Sequence, residues 1–156
     1  MKGVKSIVFR VHEQSFGIDI SLISGIEREQ LVVPIPNAPS CIKGIINLRG
    51  EIVPVYSLCR KFNAPELTGT EVQLIIINRG EMHIALEVEA VEEIIDIAGE
   101  KISEPPAIIK SNQTSYLDSI AKQSNKLIIM LNVERLITEE EAEDIENFVE
   151  KQKGQS

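Results

Sequence analysis

The segment Ile42 to Leu58, IKGIINLRGEIVPVYSL, constrains this chain more than any other. Two runs rich in β-branched residues, Ile45-Ile46 and Ile52-Val53-Pro54-Val55, flank Arg49-Gly50, and glycine supplies the positive φ that tight hairpins need. The segment therefore predicts a β-hairpin with one cation, Arg49, at its tip. Gly44 and Gly50 read as shape residues of this hairpin, and Asn47 as a side chain able to hydrogen-bond the turn backbone. From the pattern alone, Arg49 is either a solvent-exposed turn residue or a binding anchor.

Hydrophobic residues make up 43% of the 156 residues, enough for a packed core, while aromatics are 4% and Trp is absent. That core must be built from Ile, Val and Leu, a bias that favours strands. A net charge of −8 argues against phosphate-backbone binding, which draws on clustered Lys and Arg, and against an anionic membrane surface. The apolar stretch at the N-terminus is interrupted at Arg10, too soon for a signal sequence or a bilayer span, so no direct membrane insertion is expected. Cys41 and Cys59 form no CxxC or Cys/His cluster and point to two buried thiols in a reducing cytoplasm.

Alternation places Ile7, Phe9 and Val11 on one face of a first strand and Ser6, Arg10 and His12 on the other. A strand over Ser15 to Ile20 follows. Ser21 to Gly25 reads as a helical turn stopped by Gly25, then Ile26 to Val33 as an extended path broken up by Pro34, Pro36 and Pro39. Leu58 to Phe62 reads as one helical turn, and Pro65 to Thr70 as the connector between two halves. Strands are expected over Val72 to Asn78, Met82 to Val88, Val91 to Ile97 and Lys126 to Asn132, with Lys101 to Asn125, including Pro105-Pro106, as a long loop. Arg-Gly-Glu occurs at residues 49–51 and 79–81, which hints at two halves built alike. Helical sequence begins at Asn132 or Thr138. Thr138 with Glu141 fits a capping box, and Ala142, Ile145, Phe148 and Val149 make an apolar stripe expected to pack on the chain's own domain.

No constellation for catalysis stands out. His12 and His83 lie inside strand patterns without a neighbouring ligand or base, the carboxylates read as solvated, and Walker, GxSxG and GxGxxG motifs are absent. The expectation is no catalytic residue, no metal and no cofactor.

The string Gly44-Ile45-Ile46-Asn47-Leu48-Arg49-Gly50, followed by Ile52-Val53-Pro54-Val55 and Leu58, resembles the signature of the CheW family of chemotaxis coupling proteins. Phe16-Gly17-Ile18-Asp19-Ile20, Val33 to Pro39, Gln73 to Ile77, Ala85 to Val91 and Lys126 to Asn132 resemble further family segments in the same order. The likeness runs from about Ser6 to Ile137. It departs at Ala85, Glu89 and Tyr56-Ser57, where the family usually has Gly, Asp and an aliphatic-Asp pair.

The resemblance implies an all-β fold of two packed five-stranded SH3-like β-barrel subdomains with a C-terminal α-helix. The expected organisation is a CheW-like domain over 1–138, divided near 65–70, and an acidic helix with a frayed tail over 139–156. Expected core residues are Ile7, Phe9, Val11, Ile18, Ile20, Ile45, Ile52, Val55, Ile75, Ile77, Ile84, Leu86, Val88, Ile128 and Met130. The implied function is a non-enzymatic adaptor that couples transmembrane chemoreceptors to the histidine kinase CheA, cytoplasmic and recruited to membrane receptor arrays through its partners. Arg49 and Asn47 match positions implied to recognise the cytoplasmic tip of a methyl-accepting chemotaxis receptor in a groove between the barrels. The second implied partner is the regulatory domain of CheA, docked on barrel ends. A small-molecule-binding or enzymatic β-barrel and a nucleic-acid-binding β-barrel are the alternatives, to be recognised by a deep pocket of converging titratable groups or by a basic face with exposed aromatics.

Overall fold

The computed structural model describes residues 3–28, 31–68, 72–104 and 115–154. Eleven strands dominate these residues and fall into two units, Met1–Leu22 with Ala90–Ile137 and Ile23–Glu89 with Thr138–Ser156. The division therefore does not lie near 65–70. The chain leaves the first unit after Leu22, completes most of the second, and returns at Ala90, because the strands on both sides of Pro65 to Thr70 hydrogen-bond in one sheet.

The first unit holds β1 (Val4–Val11), β2 (Gln14–Asp19), β8 (Ala90–Ile97), β9 (Ile102–Ser103), β10 (Leu117–Gln123) and β11 (Lys126–Leu131) in the order β8-β1-β2-β11-β10-β9. The sheet has six strands, where five were expected. Both β9 and β10 fall within Lys101 to Asn125, read in the sequence as a long loop; LDSIAKQ of β10 carries one β-branched residue and four polar ones. Pairing with β11 nevertheless buries Ser119 and Ala121 on one face. Residues 105–114, with Pro105-Pro106, lie outside the described residues.

Val8, Ile97, Ala121, Ile128 and Met130 form the apolar centre of this unit. Ser6 was expected on a polar face but is fully buried, since β1 is a central strand covered on both faces between β8 and β2. The stacked rings of Phe9 and Phe16, with centroids 5.9 Å apart, lie across the β1–β2 pair. A short α2 (Val133–Leu136), capped by the Asn132 side chain accepting the Arg135 N–H, closes the unit.

Glu92 links three elements here, accepting from the Ser15 hydroxyl at 2.9 Å and pairing with Lys126 at 3.1 Å. Burial alone would raise its pKa, but the hydrogen bonds and charge from Lys126, the Ser15 hydroxyl and the charge of Arg10 outweigh that and hold it below the usual glutamate range. A depressed folded-state pKa means the contribution is full above the unfolded value of about 4.3 and is lost as pH falls through the folded value. Glu92→Gln should accordingly flatten the acid limb of a stability-against-pH profile while leaving its slope near neutrality alone; an unchanged acid limb would contradict this.

The second unit holds β3 (Ile23–Arg28), β4 (Ile42–Leu48), β5 (Glu51–Ser57), β6 (Gln73–Arg79) and β7 (Met82–Val88) in the order β3-β6-β7-β5-β4. The helical turn expected at Ser21 to Gly25 is a 3-10 turn over Ile20–Leu22, and Gly25 lies inside β3 at a register shift against β6. A glycine within a strand marks a bulge as readily as a helix stop. Leu58–Lys61 forms α1, capped by Ser57, whose hydroxyl accepts the Arg60 N–H.

Ile46, Val53, Val55, Leu74, Ile76 and Ala85 form the core of this unit. Ile45 and Ile52, expected there, are only half-buried, as is Ile20 in the first unit. Along β4 the buried positions are Ile42, Gly44 and Ile46, so strict period-two alternation turns Ile45 outward. The remaining expected core residues are all buried.

The apolar stripe of α3 (Glu139–Lys153) packs within this same unit, with Ile145, Phe148 and Val149 buried. Thr138 caps it by accepting the Glu141 N–H, but the Glu141 carboxylate does not complete a capping box. It accepts instead from the Tyr56 hydroxyl at 3.1 Å and pairs with Lys61 at 3.4 Å, tying α3 to β5 and α1. Burial first, and then the Glu141 charge, push the Tyr56 pKa far up, so the phenol stays protonated as the donor this bond requires.

Candidate functional site

The β4–β5 hairpin ends on Leu48 paired with Glu51, leaving Arg49 and Gly50 as a two-residue loop. Their φ values are 51° and 90°, both left-handed, as the mirror-image turns favoured in hairpins demand. Glycine takes such a conformation without cost, whereas an L-residue such as Arg pays on the order of 1 kcal/mol. Asn47 stabilises the turn: its Oδ1 accepts the Gly50 N–H at 2.9 Å. The turn-bonding role open to Asn47 in the sequence is thus the one its carbonyl oxygen fills.

The second Arg-Gly-Glu is not a copy of the first. In the β6–β7 hairpin the last pair is Arg79 with Met82, so Gly80 and Glu81 are the loop and Arg79 is still a strand residue. The frame is shifted by one position. Only Arg49 stands at a turn corner, and both hairpins belong to the second unit rather than to two matching halves.

Gly44 is required by a close approach. Val33 and Ile45 exchange backbone hydrogen bonds of 2.8 and 3.0 Å, which lay the proline-punctuated segment against β4. A Cβ on Gly44 would collide with the Val33 carbonyl oxygen and lie 2.9 Å from the Val32 side chain. Gly50, by contrast, has open space around it, so its conformation alone calls for glycine.

The Arg49 side chain is 76% exposed and pairs through Nη2 with Glu27 Oε1 of β3 at 3.0 Å. β3 and β4 are the two edges of the five-stranded sheet, so this ion pair spans its open side. Glu27 was missed in the sequence because twenty-one residues separate it from Arg49 and only the sheet order brings them together. The same holds for His83, whose Nδ1 lies 3.0 Å from Glu51 Oε2, and for Asn78, which accepts from the Ser24 hydroxyl at 2.7 Å. A shallow depression of about 180 Å³ lies among Ser24, Glu27, Arg49, Glu51 and His83. It presents one guanidinium, two carboxylates and one imidazole on a sheet surface, a binding arrangement without a nucleophile-base pair.

His12 sits in the β1–β2 turn of the first unit and is not among the residues lining this depression. Cys41 and Cys59 are both buried free thiols; Cys41 is opposite Ser57, whose N–H donates to its carbonyl at 2.8 Å, and Cys59 is in α1. Burial, followed by the Glu66 and Glu87 charges, pushes the Cys59 thiol pKa up, away from reactivity. Among the described residues no group of three or more His, Cys, Asp and Glu is placed to hold a metal ion. No described helix is long and apolar enough to cross a membrane.

The family model for the CheW-like domain matches residues 5–141, the stretch that carries both sheets and the hairpin. The chain belongs to the CheW family. Its CheW relatives include the chemotaxis protein CheW of Treponema pallidum, 29% identical over 147 residues, with 91% of this chain and 86% of that protein covered. The chemotaxis protein CheW of Bacillus subtilis is 28% identical over 142 residues, covering 90% and 91%. Among solved structures, the scaffolding protein TtCheW of Thermoanaerobacter tengcongensis superposes with a TM-score of 0.79 at 31% identity, covering 88% of this chain and 94% of that one. The CheW fold, mostly β with two SH3-like subdomains, is therefore the fold of this chain.

Proposed function

We propose that this chain is a non-enzymatic chemotaxis adaptor that binds the cytoplasmic tip of a methyl-accepting receptor and the regulatory domain of CheA at the same time. Membership of a family whose relatives are named as chemotaxis and scaffolding proteins supports the adaptor class. The observation that carries the receptor contact is Arg49: a mostly exposed guanidinium held at a turn corner in a conformation that an Arg adopts at a cost. Backbone strain at an exposed, rigidly framed position favours a functional reading, and Arg is a frequent interface anchor. Asn47 contributes by holding the turn, and its amide group remains at the surface to join the contact. Coupling requires only that both partners bind together, so that receptor geometry biases the kinase. The CheA contact is apolar in this reading, since interface cores are depleted of charge. Through these two contacts the chain is held at membrane receptor arrays. The adaptor carries out no reaction and needs no cofactor.

The test measures binding of a receptor cytoplasmic fragment and of the CheA regulatory domain to Arg49→Ala. Receptor affinity is expected to fall roughly thirtyfold, about 2 kcal/mol, with CheA affinity unchanged and nearly insensitive to salt. Stability should change little, because the exposed pair with Glu27 is worth about 0–1 kcal/mol. Arg79→Ala, which removes a strand cation instead of a turn-corner one, should spare receptor binding. Equal losses for the two variants would reduce the effect to general electrostatics, and steep salt dependence of CheA binding would reject the apolar contact.

A further inference from the structure

A second surface of the same unit is unexplained by either partner above. Between α3 and the β6–β7 turn runs a groove of about 600 Å³ with a floor of half-buried Ile52, Met82 and Ala142. Its helical wall carries Glu139, Glu143, Glu146 and Glu150 with Lys153 at the end, and Arg79, Glu81 and His83 line it from the β6–β7 hairpin, so carboxylates outnumber cations there. Glu150 pairs with Lys153, whereas Glu81, Glu139, Glu143 and Glu146 have no ion-pair partner among the described residues. The spacing is unfavourable for the isolated helix. Glu139 with Glu143 and Glu146 with Glu150 are like-charged i,i+4 neighbours, and Glu150 lies in the last turn, at the negative end of the helix dipole. The like-charged pairs therefore work against α3, although the helix dipole favours the acidic residues of its first turn, Glu139 to Glu141.

We propose that this groove docks a Lys- and Arg-rich amphipathic helix of a partner protein. The occupant must be cationic to match the unpaired carboxylates and must carry an apolar stripe to cover the floor. It must also be elongated, because Glu139 and Glu150 are eleven residues apart, about 16 Å along the helix. That spread distinguishes the surface from a metal site, which needs convergent ligands; no such convergence occurs among the described residues. A second copy of this chain is a poor fit, since its net charge is −8 and it would bring the same acidic stripe. Cations at positions i, i+4, i+7 and i+11 of an antiparallel helix would face Glu150, Glu146, Glu143 and Glu139 in turn.

The experiment uses the full chain and a labelled helical peptide with Lys at i, i+4, i+7 and i+11 beside a Leu stripe, with the same peptide bearing Glu at those positions as reference. Fluorescence anisotropy should show the Lys peptide binding, weakening as salt rises, and the Glu peptide failing to bind. Glu143→Gln with Glu146→Gln should reduce affinity about fivefold, from two exposed pairs of ordinary strength, with the melting temperature unchanged or raised. Glu93→Gln with Glu134→Gln, which removes the same charge from exposed sites on the other unit, should change affinity less than about twofold. Arg49→Ala should leave peptide binding intact, which separates this surface from the proposed receptor contact. Equal weakening by the two double variants, binding of the Glu peptide, or no binding of the Lys peptide at low salt would overturn the proposal.

Discussion

Deletion of Glu139 to Ser156 is expected to destroy most of the stability of the second unit. Ile145, Phe148 and Val149 are all at least nine-tenths buried, and burial of such side chains is worth about 1.5–3 kcal/mol each. Their sum, even after discounting for a compact unfolded state, rivals the roughly 5–15 kcal/mol that holds a typical domain together. The deletion also removes Glu141, whose carboxylate accepts from the buried Tyr56 hydroxyl, and loss of a hydrogen bond to a charged group adds about 1.5–3 kcal/mol. Thermal melting and hydrogen exchange should show loss of protection across β3 to β7, whereas a helix serving only as a partner tail would leave both unchanged. Ile145→Ala, expected to cost about 2–5 kcal/mol, tests the same packing in a chain that can still fold.

Lys43→Ala should lower stability by about 3 kcal/mol, the cost of stranding a buried carboxylate. Glu87, on β7, is 3% exposed; its Oε2 accepts from Lys43 of β4 at 2.8 Å, and its Oε1 has no hydrogen-bond partner. Lys43 is thus the cation that offsets a charge already short of partners. For a chain of this length such a loss corresponds to a fall of about 10 °C in melting temperature. The double variant Lys43→Met with Glu87→Leu should recover most of it, since replacing a buried pair by apolar residues is often neutral or stabilising. A single variant as stable as the parent would show that the carboxylate reaches solvent.

The elements legible in the sequence are those with a local cause. The hairpin at Ile42 to Leu58 follows from β-branched runs around a glycine turn, and α3 follows from a Thr cap and a stripe at helical spacing. β10 was not legible, because LDSIAKQ has no strand pattern of its own and is made a strand by its pairing with β11. Ile45 was misplaced by one position for a related reason: two adjacent isoleucines fit either face, and register against β5 decides between them.

By itself the sequence determined the strand-forming character of the chain, the turn at Arg49-Gly50, the site of the C-terminal helix and, through its motif string, the CheW family. Only the tertiary structure decided which strands share a sheet, and hence that 65–70 lies within a unit. It also decided that Arg49 meets Glu27, that Gly44 lies beneath Val33, and that the two Arg-Gly-Glu motifs differ in frame. The physical reason is range. Turn conformation, capping and periodicity arise among residues a few positions apart, whereas strand order and ion pairing across sheet edges depend on which distant segments bury one another's apolar faces.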